Sequence, residues 1–414
     1  MVEFVETPEV CLTLDGQNWV AQFKIPEGPP EGVTYAFYLL RNGVRVAHRW
    51  YEKGLTAKFS NNGVAGRYQA RVFIKTAATE NAGPSTTTLD SERVVQNGPP
   101  YDLRRWGQRP LFERDLDAAW AEEEFADGLY HFTAGEHHTD LLLSGMDKLS
   151  SSPAVLVCFS GALTSREGTS APFFSGVEIA KKLDAPVISV ADPSLARSHR
   201  LFLGWYAGHE GFVDLPKRIA GLLDAFVKQT GARLILMGGS GGGFASLLML
   251  SLIQTPRASA FVWNPQTSLS RYTPKSVQRY LEVAFPSLAG SADIQNTLDA
   301  SGVIYNLDLR ASVMTGQRSI LYLQNKSDWH VESHAKPFLE KFGVGEKASE
   351  DVRSFNQRVA YWEGDWGDGH VPPSKDMIAA GLTLLLAGKA PLDAALELES
   401  NHLAAQNSPA LLRT

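Results

Sequence analysis

Apolar and polar residues alternate with period two from Val2 to about Lys75, in the short runs CLTL, WVAQFKI, YAFYLL, VRVAHRWY, AKF and RYQARVFIK. DG, EGPPEG, NG and NNG break these runs. Alternation with turn signals every 8–12 residues or so marks half-buried antiparallel strands, and roughly seven fit before residue 96. The pattern predicts an antiparallel β-sandwich over 1–96. The Pro-, Gly- and charge-rich stretch that follows, VVQNGPPYDLRRWGQRP, is read as the boundary, with a linker over 97–114.

The pattern then changes. After a hairpin-like opening, GLYHFTAG and TDLLLSG, continuous apolar runs predict buried strands at 154–160, 186–190, 233–238, 259–263, 319–324 and 358–363. Amphipathic or small-residue stretches at 215–230 and 243–254 predict helices between them. Strands apolar on both faces and alternating with helices imply a mostly parallel sheet covered on both sides, so an α/β, doubly wound domain is expected over 115–388. The stretch 266–317 is too long for a simple connection and is read as a helical cap. Residues 389–414 are read as a polar, Ala-rich and partly disordered C-terminal tail.

Composition narrows the function classes. The 414 residues are 44% hydrophobic and 20% charged, a globular balance, and no apolar run approaches the roughly 18–20 residues of a membrane span. A net charge of −6 without a Lys/Arg cluster argues against a nucleic-acid partner. The opening MVEFVETPEV lacks a basic segment followed by an apolar one, so a cytoplasmic location is expected. Cys11 and Cys158, distant in sequence, offer neither a disulfide framework nor a multi-cysteine metal site and are read as buried small hydrophobes.

The chemistry concentrates in LILMGGSGGGFASLLML, where a strand pattern enters Gly238-Gly239-Ser240-Gly241-Gly242 and leaves as a helix. This is G-x-S-x-G in strand–turn–helix context, which exposes a serine hydroxyl at a helix N-terminus. Neither a dinucleotide-binding glycine pattern nor a Gly-Lys-Ser/Thr phosphate loop is present. A nucleophilic serine needs a base, and the base an orienting acid. Asp328 follows the strand 319–324 and His370 follows 358–363, both at carboxyl ends, and they are read as acid and base. Asp365, Asp368 and Glu332 stand as alternative carboxylates, and His330 and His334 as alternative bases. The backbone N–H of Gly241 and the turn at Gly161 and Ala162 are read as the oxyanion hole. Trp205 and Tyr206, in LGWYAGHEG, are placed at the border of an acyl pocket or as packing aromatics. Arg166 binds an anionic substrate group or pairs with a surface carboxylate. His137 and His138 are read as a solvated hairpin, since adjacent side chains point apart and no third metal ligand is spaced to join them.

These motifs, in this chain order, resemble the α/β-hydrolase superfamily over roughly 115–390. The resemblance implies acyl-enzyme chemistry at an ester, amide or thioester, with no metal or organic cofactor. The preceding sandwich is of immunoglobulin or fibronectin III-like kind. YAFYLLRNG, CFSGAL, GGSGGGFAS, WNPQTSLSRY and GDGHVPP further resemble bacterial proteins of capsular polysaccharide biosynthesis and the accessory Sec glycan O-acetyltransferase subunit. That likeness implies an acyl group on a sugar polymer or glycoprotein as substrate, with the β-domain binding a polymer or partner chain. Three functions follow as expectations: a serine carboxylesterase acting on a small-molecule or glycan ester, an acyltransferase or O-acetyl esterase on a surface glycan, and a non-catalytic hydrolase-like assembly protein.

Overall fold

The computed structural model describes residues 7–407 other than 27, 78–82, 119, 123, 153, 164, 165, 167, 291, 292, 315 and 317. The chain divides into two compact units, Met1–Arg105 with Arg166–Ser170, and Trp106–Ser165 with Ala171–Thr414.

Among the described residues the first unit contains eight strands: β1 Glu9–Asp15, β2 Asn18–Lys24, β3 Val33–Arg41, β4 Val44–Glu52, β5 Thr56–Ser60, β6 Gly66–Thr76, β7 Ser85–Asp90 and β8 Val94–Gln96. They pair antiparallel in two sheets, β1-β2-β5 and β4-β3-β6-β7, with β8 also on β6. Alternation decides which side chains meet. Tyr68, Ala70, Val72 and Ile74 of β6 face one core together with Trp19, Ala21 and Phe23 of β2, while Arg67, Gln69 and Arg71 point away. Trp19 stacks on Tyr68 with ring centroids 4.3 Å apart. This is the expected sandwich, with β8 as one strand more than the roughly seven counted.

Among the described residues the second unit is built on one sheet of eleven strands: β9 Leu111–Asp115, β10 Gly128–Ala134, β11 His137–Ser144, β12 Ala154–Phe159, β13 Val187–Val190, β14 Arg233–Gly239, β15 Ala258–Trp263, β16 Ser319–Asn325, β17 Glu346–Lys347, β18 Val352–Phe355 and β19 Val359–Gly364. Their order is β17-β18-β19-β16-β15-β14-β12-β13-β11-β10-β9. The central run from β19 to β13 is parallel. The helices are α1 Val177–Lys182, α2 Leu215–Thr230, α3 Gly241–Leu252, α4 Pro274–Ala284, α5 Ile294–Ser301, α6 Ala311–Met314, α7 Lys336–Leu339, α8 Lys375–Leu386 and α9 Pro391–Asn407. Alternate residues of β14 serve opposite faces: Leu234 and Leu236 join the core that contains α2 and α3, whereas Ile235 and Met237 join the one that contains α8 and α9. That explains why the strand reads as unbroken apolar sequence. Helix α3 is apolar all round because it is buried all round. The α/β-hydrolase fold with a preceding β-domain is therefore what the chain adopts, and α4, α5 and α6 fill the span expected to be helical between β15 and β16.

Two boundaries differ from expectation. The stretch 97–114, read as a linker, runs into β9, which pairs parallel with β10 at the sheet edge. Residues 389–414, read as a tail, carry α9, which buries Ala394, Ala395 and Leu398 beside Trp362. Residues 408–414 lie outside the described ones. Among the described residues no helix is long and apolar enough to cross a membrane.

Strand order reverses at β12, which leads to β13 on one side and borders β14 on the other. The carboxyl ends of β12 and β14 therefore flank the crevice where open α/β sheets place ligands.

Candidate active site

Ser240 sits between the last residue of β14 and the first of α3, with φ 54° and ψ −121°. Close approach enforces the glycines around it. A side chain at Gly239 would run into the indole of Trp263, and one at Gly242 into the carbonyl of Phe159. The turn is pinned on both sides. Ser240 N donates to Trp263 O at 3.1 Å, and Ser240 O accepts from Phe244 N at 3.1 Å and from Gln266 N at 3.1 Å.

Asp328 follows β16 and is buried, and His370, part-exposed, follows β19. His370 Nδ1 donates to Asp328 Oδ2 at 2.6 Å. A carboxylate only accepts, so the proton stays on Nδ1 and Nε2 keeps its lone pair. Burial, the largest influence on Asp328, pushes its carboxyl up. The hydrogen bond from His370, the backbone N–H of His330 at 3.0 Å and the two nearby imidazoles outweigh it, and the carboxyl lies below its ordinary range. The alternatives are used otherwise. His330 donates through Nδ1 to Asn264 O at 3.0 Å, and His334 Nδ1 accepts from Thr267 N at 3.2 Å. Burial lowers His330 to about 4 and His334 to about 2. A neutral His330, with its ring centroid 4.3 Å from that of His370, places no positive charge beside that imidazole.

Several positions were not singled out from sequence. Asn325 Nδ2 donates to Gly367 O at 2.6 Å and Gly369 O at 2.7 Å, and its Oδ1 accepts from Trp366 N at 3.2 Å. Asn264, with φ 43°, donates to Val371 O at 2.7 Å and accepts from Asn325 N at 2.8 Å. Together the two amides hold the loop that carries His370. Gln266 donates through Nε2 to Ser240 Oγ at 3.1 Å. Among the described residues this is the side-chain hydrogen bond to Ser240 Oγ; no direct bond joins Oγ to His370. Buried polar residues just past an apolar strand, as in FVWNPQ and LYLQN, are the signal that points to this group.

The loop after β12 lies against the Ser240 turn. A Cβ built on Gly161 would be 3.1 Å from Gly239 O and 4.0 Å from Ser240 Cβ. Ala162 is exposed, and Gly241 is buried against Leu203. Trp205 and Tyr206 do not border open space: both are buried, each with φ 56°. Trp205 Nε1 bonds Gln266 Oε1. Tyr206 Oη accepts from Ser160 N at 2.8 Å and donates to Val190 O at 2.9 Å, which fixes the residue preceding Gly161. Arg166 is buried and groups with the first unit. His137 and His138 are half-buried rather than solvated, His137 stacking on Phe212 at 4.9 Å.

Tyr272 packs edge-on to Trp205 at 5.9 Å and stacks on the exposed Trp329 at 5.8 Å. It also lines, with Leu269, Pro274, Val277 and Ile294, a cavity of about 550 Å³, within the usual size of small-molecule sites. Among the described residues one group, Asp328, His330 and His370, has three donor atoms within 4.8 Å of one another, the spacing a shared cation needs. Two of the three are already joined by a hydrogen bond.

No family model and no curated protein matches the chain. Solved structures with similar folds include the Glycosylation Associate Protein (Gap123) complex from Streptococcus agalactiae, at 14% identity over 91% of this chain and 69% of that one, TM-score 0.44. An S-formylglutathione hydrolase from Agrobacterium tumefaciens matches at 15% identity over 65% of this chain and 95% of its own, TM-score 0.41. The capsule O-acetyltransferase of Neisseria meningitidis serogroup A matches at 11% over 69% and 96%, TM-score 0.38.

Proposed function

We propose that the chain is a serine-dependent carboxylic ester hydrolase. The observation that carries this reading is the Asp328–His370 hydrogen bond at the carboxyl ends of β16 and β19, in the same sheet as the strained Ser240 turn at the end of β14. His370 Nε2 takes the Ser240 Oγ proton as Oγ attacks the acyl carbonyl. Asp328 holds the tautomer and offsets the imidazolium charge. The N–H of Gly241 and the Gly161–Ala162 turn stabilise the oxyanion. His370 then protonates the leaving alcohol, and water attacks the acyl-enzyme with His370 again as base. Apo geometry without a Ser–His contact is compatible with this, because such bonds commonly tighten only with substrate bound. The chemistry needs no cofactor.

Trp329 favours a second acceptor. An exposed indole one residue from Asp328 offers a flat apolar face to a sugar ring, so acyl transfer to, or deacylation of, a carbohydrate is the alternative reaction of the same triad. The exposed Val44, Val46 and Trp50 on β4 support a polymer- or partner-binding role for the sandwich.

The test is fluorophosphonate labelling followed by a panel of acyl and sugar-acetate esters, with and without glycerol or free sugar, on wild type and Ser240→Ala. Label on Ser240, with turnover lost in the variant, is expected. A transferred acyl product assigns the sugar as acceptor. Labelling that persists in Ser240→Ala overturns the nucleophile, and a wild type that neither labels nor turns over any ester supports the non-catalytic reading.

A further inference from the structure

We propose that Gln266 is a catalytic residue whose side-chain amide donates first to the nucleophile oxygen and then to the acyl oxygen as the tetrahedral adduct forms. The proposal rests on Ser240 being the nucleophile.

The geometry determines which end of the amide faces the serine. An indole Nε1 is a donor only, so Trp205 can bond only the carbonyl oxygen of Gln266, and the NH2 group is left pointing at Ser240 Oγ, 3.1 Å away. Neither partner is free to turn. Gln266 and Trp205 both have no solvent exposure. The indole is wedged by Tyr272 and Tyr280, with centroids at 5.9 and 5.4 Å. The backbone N–H of Gln266 is itself tied to Ser240 O at 3.1 Å. A buried polar side chain braced at its oxygen and spending its N–H on the reacting atom is a preorganised donor.

The chemistry gives that donor a task that changes along the reaction. His370 Nε2 removes the hydroxyl proton, an Oγ lone pair forms the bond to the acyl carbon, and the carbonyl π pair moves onto the acyl oxygen. Oγ thereby loses acceptor strength while negative charge appears on an oxygen bonded to the same carbon. The Gln266 NH2 group, already directed at Oγ, follows the charge to that neighbouring oxygen. Being neutral, the amide neither competes for the proton nor repels the imidazolium. This adds a side-chain donor to the backbone groups of Gly241 and the Gly161–Ala162 turn.

The test compares wild type, Gln266→Met, Trp205→Phe and Ser240→Ala by thermal melting, fluorophosphonate labelling, p-nitrophenyl acetate kinetics and inhibition by phenylboronic acid, whose adduct mimics the tetrahedral intermediate. Gln266→Met keeps the volume without the N–H. It is expected to lose about 100-fold in kcat, with KM within about threefold and the boronate inhibition constant raised in parallel. Trp205→Phe keeps the amide but releases its orientation, and a loss of about tenfold in kcat is expected. A folded Gln266→Met with kcat and boronate affinity within about threefold of wild type overturns the proposal while a labelled Ser240 leaves the nucleophile standing. If Gln266→Met does not fold, a folded Trp205→Phe with unchanged kcat overturns it instead. Failure of wild type to label at Ser240 overturns the nucleophile and Gln266 together.

Discussion

His370 Nδ1 and Asp328 Oδ2 lie 2.6 Å apart, and the contact decides which imidazole nitrogen can act as a base. Replacing Asp328 with Asn puts an N–H within reach of Nδ1, so the ring can satisfy the amide by carrying its proton on Nε2, where it cannot accept one from Ser240. Asp328→Asn is expected to lower kcat on the order of 10⁴-fold with little change in KM. Steady-state kinetics beside a thermal melt checks this, and a folded variant with near-native kcat would remove Asp328 from the mechanism.

The loop that presents His370 is held through Asn325, whose amide serves Gly367 O, Gly369 O and Trp366 N. Asn325→Leu removes all three bonds; Gly367 O keeps Ser327 Oγ at 2.8 Å and Gly369 O keeps Val371 N at 2.9 Å, while Trp366 N loses its partner. It should cost about 1–3 kcal/mol in urea unfolding, the range for one polar group left unsatisfied. Because His370 is then less well placed, kcat should fall by about 10- to 100-fold while KM stays put. An unchanged kcat would make the bracing purely structural.

The division between what the sequence disclosed and what it hid follows from side-chain pattern. The six apolar runs from 154 to 363 each contain a parallel strand, because burial on both faces leaves no polar positions to blur them. Ser240 was legible because its glycines are demanded by close contacts, with backbone at Gly238 and Gly242 and with the Trp263 and Leu203 side chains at Gly239 and Gly241. Asn325, Asn264 and Gln266 were not, since Asn and Gln beside Gly or Pro at a strand end look like ordinary turn residues until the fold brings other loops onto them. Trp205 and Tyr206, set in a glycine-rich loop, left a pocket wall and ordinary packing both open; the residues are buried, and their polar atoms hold Gln266 and Ser160. Strand β17, of two residues, is too short to carry a period.

Helix α9 was misread for a related reason: its polar residues are numerous and its buried stripe is made chiefly of Ala394, Ala395 and Leu398. Small side chains permit close approach to the sheet, so the helix contributes more burial than its hydropathy suggests. Leu398, with 2% exposure, packs in the core that includes Trp362. Leu398→Ala is expected to destabilise the protein by about 2–5 kcal/mol. A denaturation midpoint unmoved by that change would return the segment to the status of a tail.

Three buried histidines set an acid limit on stability. His330, His209 and His334 are lowered by burial to about 4, about 3 and about 2. Unfolded, each protonates near 6.5. Below that value the unfolded chain binds more protons than the folded one, so stability is complete above about pH 6.5 and declines as pH falls toward the folded values. Each histidine that stays neutral contributes a slope of about 1.4 kcal/mol per pH unit between about pH 6 and 5. Urea unfolding across that window should show the loss, and His209→Phe should make it shallower by one histidine's share. A slope identical to wild type in a folded His209→Phe would show that His209 protonates in place.

The turn at Ser240 stores strain that two substitutions separate. A residue with a side chain at φ 54° and ψ −121° is outside the allowed regions, at a cost of about 1–3 kcal/mol. Glycine adopts this conformation freely, though it returns about 0.5–1 kcal/mol to the unfolded chain as entropy. Ser240→Ala and Ser240→Gly both remove Oγ and its bond to Gln266, so that loss cancels between them, and only alanine keeps the strain. Ser240→Gly should therefore be more stable than Ser240→Ala by about 1 kcal/mol, with both inactive toward esters. The two melting curves, read against wild type, decide the matter: an alanine variant at least as stable as the glycine variant would mean that the turn relaxes once the hydroxyl is gone, and that the strain belongs to the placement of Oγ rather than to the backbone.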